Sequence, residues 1–291
     1  MIKSSLPLIP DCIRTLEDAL YEIAPNNWSL TVNSDDGYGK IEGFFDSIEV
    51  AKQAISELES IWGNTFDGEF QHEDFKEEDW TEAYKVHFKP WSHGTIHWVP
   101  EWEKESFPIP SGHHALYLDP GMAFGTGNHE TTRLCLESMI GICESKQVKD
   151  CLDIGCGSGI LSLSACLLGV EKVRAIDFDP DAIKVSKDNA KRNSVEGDID
   201  FQVQSVEELD GNEAFDLVVA NIQADILMQN SLTLLRQTKL DGVLVLSGIL
   251  EKEIDLVEAH FSDLLRREGI NFNSQNRVQG EWSALQLNLL L

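Results

Sequence analysis

The chain has 291 residues, 42% of them hydrophobic, which suits one or two folded domains and excludes a disordered protein. Fifty acidic residues against 23 basic ones leave a formal net charge of −27. That balance argues against binding nucleic acid or anionic membrane faces and suits a basic protein partner, although it also serves solubility.

The first ~65 residues read as a small separate unit. "SLPLI" is a short strand, and residues 11–23 place Ile13, Leu16, Leu20 and Ile23 on one helical face. "WSLTV" and "KIEGFF" are strands around the turn-rich "NSDDGYG". Residues 47–62 set Ala51, Ala54, Ile55, Leu58 and Trp62 at helical spacing, and a last strand falls near 67–72. The order β-α-β-β-α-β predicts a small α+β ferredoxin-like domain over 1–65. Residues 66–93 are expected to be a linker region, with a charged and aromatic helix ending before Pro90.

From residue 94 a larger domain is expected to run to 291. "TIHWV" and "HALYLD" are strands, followed by the glycine-rich "GMAFGTGNHETT" and a helix with Asn128 as its candidate cap. Beyond residue 150 strands and helices alternate: "CLDI", a helix over 159–168, "KVRAID", a helix over 180–193 capped by Asp179, "DFQVQ", "FDLVVANI", a helix over 224–237, "GVLVLSGI" and a helix over 251–265. Two final strands, near 268–274 and 282–289, can pair as an antiparallel hairpin. Such alternation predicts an α/β fold with a mainly parallel, doubly wound, Rossmann-like sheet. The six cysteines form no CxxC pair, no apolar run reaches the ~18 residues of a membrane span, and no signal peptide is evident. Free thiols, a reducing cytoplasm and no metal site are the expectation.

The stretch "DIGCGSG" at 153–159 ends the first strand of this sheet, where a doubly wound fold binds its ligand. Gly155 and Gly157 allow a tight turn and close ligand approach, and Gly159 opens a helix whose N-terminus favours an anionic group. The spacing is GxGxG and not the GxGxxG of dinucleotide folds, and no Lys-Ser/Thr follows, which excludes a Walker loop. An acidic-x-Gly-x-Gly-x-Gly pattern of this kind suits S-adenosylmethionine. Asp177, 22 residues beyond Gly155, ends the next strand and can accept hydrogen bonds from ribose hydroxyls; this serves NAD as well as an adenosine. Asn221 ends the fourth strand, in "VVANIQAD", where its amide can meet the ligand or an incoming amine. No general base is evident. His129 and the His113–His114 pair lie near the first glycine loop and are given no role.

The segments "EDWTEAYKVHFKPW", "LDPGMAFGTGNHETTRLCLE", "LDIGCGSGILSLSACLLG", "AIDFDPDAIKVSKDNAKRN" and "VVANI" together closely resemble the bacterial ribosomal protein L-eleven methyltransferase family, from about Asp79 to Leu250. The resemblance implies a class I methyltransferase domain behind a small substrate-docking domain, with S-adenosylmethionine as cofactor. It implies methyl transfer to lysine side chains and to the α-amine of a basic ribosomal protein. Matched by motif, the cofactor positions are Thr132, Gly155, Asp177 and Asn221, with Gly157 and Gly159 in the same loop and Phe124 and Thr126 lining the methionine side. Where the family usually has small apolar residues after "VVANI", this chain has Gln223. Alternative readings are a class I methyltransferase of another protein or small molecule, an NAD-dependent oxidoreductase, and a non-catalytic module that keeps the cofactor fold.

Overall fold

The computed structural model describes residues 2–10, 13, 16, 20, 28–32, 38–74, 88–119 and 129–291. The chain divides into two compact units, Met1–Ala83 and Tyr84–Leu291.

In the first unit, β1 (Ile2–Leu8), β2 (Trp28–Val32), β3 (Gly39–Phe45) and β4 (Gln71–Asp74) form an antiparallel sheet in the order β2-β3-β1-β4. Alternation along β3 buries Ile41, Gly43 and Phe45 on one face. Helix α1 (Ile48–Trp62) starts where the Ser47 hydroxyl accepts from the Val50 amide, and it stops at Gly63, whose φ of 72° a residue with a side chain resists. Its Leu58 packs with Leu6, Leu8, Ile13, Leu16 and Ile41. Ile13 and Leu16 are helical and buried, as their spacing requires, whereas Ile23 lies outside the described residues. The last strand falls at 71–74, later than expected, because its partner is β1; the first unit therefore continues past residue 65. Most of the expected linker helix, 75–87, lies outside the described residues, and Trp91–His93, at the end of the expected linker region, form a strand.

The second unit begins with β5 (Trp91–His93), β6 (Ile96–Pro100) and β7 (His114–Leu118), a three-stranded sheet in that order. The buried Trp98 indole donates to the Ser164 hydroxyl at 2.9 Å, tying β6 to the helix that follows the glycine loop. The main sheet holds β8 (Asp150–Ile154), β9 (Lys172–Asp177), β10 (Ile199–Val203), β11 (Phe215–Asn221), β12 (Thr238–Leu250), β13 (Asn271–Gln279) and β14 (Trp282–Leu290). Their order is β10-β9-β8-β11-β12-β14-β13; the pairs from β10 to β12 are parallel, and β14 joins antiparallel to both β12 and β13.

Between the strands run α2 (Glu130–Ser145), α3 (Ile160–Leu167), α4 (Pro180–Arg192), α5 (Ala224–Gln229), α6 (Ser231–Arg236) and α7 (Ile254–Arg267). Buried side chains pack on both faces of the sheet: Cys151, Leu217, Val219 and Val245 in one core, Leu152, Ile154, Val218 and Leu246 in the other. The single helix expected over 224–237 is two short ones. Asn230 sits between them at φ −101° and ψ 14°, with its amide group bonded to Ile226 O and to Glu207. Winding reverses between β8 and β11, which opens a crevice at their carboxyl ends.

Candidate active site

At that crevice lies a cavity of about 690 Å³, inside the range usual for cofactor sites. Its floor is the glycine loop. Gly155, Gly157 and Gly159 have φ of 71°, 55° and 80°, the left-handed region that penalises a Cβ. A Cβ on Gly155 would also lie 2.5 Å from Ile222 Cγ2. Gly155 and Gly157 line the cavity; Gly159 lies behind them as the N-cap of α3.

Two residues on α4 staple this loop: Ser186 donates its hydroxyl proton to Gly157 O (2.7 Å), and Asn189 donates its amide to Ser158 O (2.9 Å). Asn189 also accepts from the Asp119 amide at 2.9 Å, so one buried side chain holds the glycine loop and the end of the strand region before residue 120. Sequence reading did not single out Ser186 or Asn189, because their value depends on which loop α4 packs against.

Asp177 lines the cavity and is 7% exposed. One carboxylate oxygen accepts from the Gly157 amide (2.9 Å), the other from the Asp179 amide (3.0 Å). Each oxygen keeps a further lone pair for a hydroxyl donor. Asp179 caps α4 by accepting from the Asp181 amide, with Pro180 in the first turn.

Asn221 lines the same cavity. Its Nδ2 donates to Thr132 Oγ1 at 3.4 Å, while its Oδ1 is buried with no partner among the described residues. An acceptor stranded in that way costs roughly 1–3 kcal/mol, and a ligand N–H or O–H would recover it. Thr132 is fully buried behind Asn221, and it is the neighbouring Thr131 that reaches the cavity wall. The cap of α2 is His129 and not the Asn128 expected from sequence: its Nδ1 accepts from the Thr131 amide at 3.4 Å, and its ring lies edge-on to Trp282 at 4.9 Å. His113 instead pairs with His97 at 2.8 Å in the smaller sheet, and neither it nor His114 lines the cavity. Phe124 and Thr126, like Asn128, lie outside the described residues.

Gln223 lines the cavity beside Ile222 and Ile226. Trp282 and Gly248, 282 and 248 residues into the chain, complete one wall, and the Gln204–Glu207 stretch after β10 completes another. None of these was predicted. The described cysteines are free thiols whose ionisation burial suppresses, and Cys12 lies outside the described residues. Among the described residues no cluster can hold a metal ion, and no helix is long and apolar enough to cross a membrane.

Asp153 opens the glycine motif and is 1% exposed. Burial raises its carboxyl to about 7, against the lowering effect of the Ser162 hydroxyl and amide, which both donate to Oδ2. With the folded value above the unfolded one near 3.8, the folded state holds the extra proton between those limits. The folded form thus loses stability as pH rises from about 4 to about 7, and the cost is complete above that. Asp153→Asn should remove this slope. The melting temperature of the variant relative to the native protein is expected to rise between pH 5 and pH 8 in thermal scans; a constant difference would count against it.

A parallel sheet with a glycine loop after its first strand, a carboxylate after its second and an antiparallel strand inserted near its edge define a class I methyltransferase-like α/β protein. The family model described as "Ribosomal protein L11 methyltransferase (PrmA)" matches residues 14–289, and the chain belongs to that family. It is 41% identical over 214 residues to the ribosomal protein L11 methyltransferase of Pelobacter propionicus, spanning 72% of this chain and 66% of that protein. With the same-named protein of Geobacter sp. (strain M21) it shares 34% identity over 297 residues, 94% of each. Among solved structures, the ribosomal protein L11 methylase of Lactobacillus delbrueckii subsp. bulgaricus is similar at a TM-score of 0.61 and 30% identity, covering 70% of this chain and 100% of that one.

Proposed function

We propose that the protein transfers methyl groups from S-adenosylmethionine to primary amines of ribosomal protein L11, both lysine side chains and the α-amine. The observation that carries this reading is the Asn221 Oδ1, without a partner among the described residues, beside the glycine loop in a chain of the L11 methyltransferase family. Bound there, the cofactor supplies an activated sulfonium methyl, so no covalent enzyme nucleophile is needed. Gly155 and Gly157 admit its methionine end, Asp177 accepts from its ribose, and Thr132 holds Asn221 in register. Phe124 and Thr126 complete the methionine side, as the family resemblance implies.

A lysine acceptor has a reference pKa near 10.4, an α-amine about 8, and either attacks only when neutral. Apolar walls from Ile222, Ile226 and Trp282, beside a positive sulfonium, favour that neutral form. Asn221 Oδ1 takes one amine N–H and so aims the lone pair at the methyl group. The deciding experiment is intact-mass analysis of L11 after incubation with enzyme and S-adenosylmethionine. Mass additions in whole steps of one methylene each are expected; an unmodified L11 alongside modification of another protein would favour the alternative substrate.

The first unit, with its sheet order β2-β3-β1-β4, reads as a ferredoxin-like domain that docks L11, and the reaction belongs in the cytoplasm. With a chain charge of −27 and a basic substrate, association should slow steeply with added salt, since exposed charges are screened beyond ~8 Å at physiological ionic strength. A chain beginning at Tyr84 is expected to bind cofactor normally and to lose about tenfold or more of its activity on L11, the scale of roughly 1.4 kcal/mol of docking energy. Full activity from that chain would remove the docking role; a flat salt response would assign the charge to solubility.

A further inference from the structure

Strand β13 forms one border of the main sheet, and among the described residues nothing pairs with its outer side. Exposed borders are ordinarily guarded by lysine, proline or a bulge. The sequence here, "NFNSQNRVQ", has no lysine or proline, and its register with β14 runs unbroken from Asn271↔Leu290 to Gln279↔Trp282. Arg277 is its one cation, and the guanidinium turns to Glu137 at 3.8 Å. The hairpin closes through two residues, with Gly280 at φ 60°. Gln279 and Trp282 therefore exchange both backbone bonds, and the antiparallel pattern alternates from there. Val278, Asn276, Ser274 and Phe272 direct their backbone N–H and C=O groups outward, along ~20 Å of strand.

Two features indicate what fits this border. It runs to the active site, since Trp282, the cross-strand partner of Gln279, lines the cavity. The border is also acidic. Glu258 accepts from Ser274 Oγ (2.6 Å) and Asn276 Nδ2 (2.5 Å), Glu281 is exposed in the turn, and the Glu130 carboxylate lies 3.8 Å from where a Gly280 Cβ would stand. A second copy of the chain would bring the same carboxylates and another net charge of −27 against them.

We propose that the outer edge of β13 is a docking strand for an extended, lysine-bearing segment of the protein substrate, which adds to the sheet and delivers its amine past Trp282 into the cavity. The proposal rests on the reading that the substrate is a basic protein. Backbone bonds supply affinity without demanding one sequence, and the carboxylates select for lysine.

Residue-resolved amide exchange on the full chain, with and without L11, tests it. The amides of Ser274, Asn276 and Val278 should slow with L11, while those of Asn273, Gln275 and Arg277, already bonded to β14, should change little. Asn276→Pro removes one outward donor without touching the β14 ladder, and Val278→Lys places a like charge at the mouth; Val278 is 51% exposed, so the fold tolerates it. Both variants should raise KM for L11 at least tenfold and leave S-adenosylmethionine affinity unchanged. Methylation of L11 with no alternating protection, or native KM in both variants, overturns the proposal. Protection that grows with enzyme concentration alone assigns the edge to self-association and overturns it too. If L11 is not methylated, a decapeptide alternating lysine and valine serves as probe: alternating protection retains the docking strand and rejects L11, and no protection rejects both.

Discussion

Asp177→Ala is expected to raise the dissociation constant for S-adenosylmethionine roughly 10- to 100-fold, about 1.5–3 kcal/mol, the scale of lost charge-assisted hydrogen bonds. The carboxylate acts in two ways. It faces the cavity with lone pairs suited to ribose hydroxyls, and it holds the Gly157 amide at 2.9 Å and the Asp179 amide at 3.0 Å. Alanine removes the ligand contact and releases the middle of the glycine loop together. Asp177→Asn keeps one acceptor oxygen and should fall between the two in calorimetry. Unchanged affinity in a folded Asp177→Ala protein would remove Asp177 from the cofactor site.

Gly248→Ala is expected to lower turnover about 100-fold, the equivalent of roughly 2.7 kcal/mol, with a smaller effect on cofactor affinity. Gly248 sits at φ 83° in the irregular stretch of β12 between Ser247 and Ile249. A Cβ there would stand 2.2 Å from Ile222 O and 2.8 Å from Ile222 C, a backbone overlap no rotamer relieves. The left-handed conformation adds roughly 1–2 kcal/mol. Ile222 lies between Asn221 and Gln223, so any relief of the overlap moves the Asn221 amide, to which the proposed function gives the aiming of the amine. Gly141→Ala is the control, because a Cβ there meets nothing within 4 Å. Comparable losses in both variants, or full turnover in Gly248→Ala, would contradict the positioning argument.

Local chemistry was readable where the cause is local. Asp179 and Pro180 start α4 because the side-chain acceptor and the fixed φ act within one turn. The three loop glycines take left-handed φ because a tight strand-to-helix turn demands it. Strand and helix alternation follows from hydrophobic periods of two and 3.6 residues, and it was sufficient to place Gly155, Asp177 and Asn221 at one edge of a parallel sheet.

The tertiary structure decided everything that depends on which distant segment arrives beside which. The family resemblance implied Thr132 as a cofactor position; in the fold Thr131 lines the cavity, and Thr132 is buried beside Asn221, whose amide donates to it. Asn128 had the composition of a cap, yet His129 performs it, since its ring also packs on Trp282. Trp282 reaches the site only because β14 inserts antiparallel between β12 and β13, a pairing of residues 32 to 45 positions apart, as in Leu250↔Trp282 and Val243↔Asn288. Gly248 reads as an ordinary strand glycine until the parallel pairing of β12 with β11, which sets Ser247 opposite Asn221, brings it against Ile222. Periodicity determines which face of an element is apolar; the partner that covers each face, and therefore the full wall of the cavity, comes from long-range packing that no local window of the sequence contains.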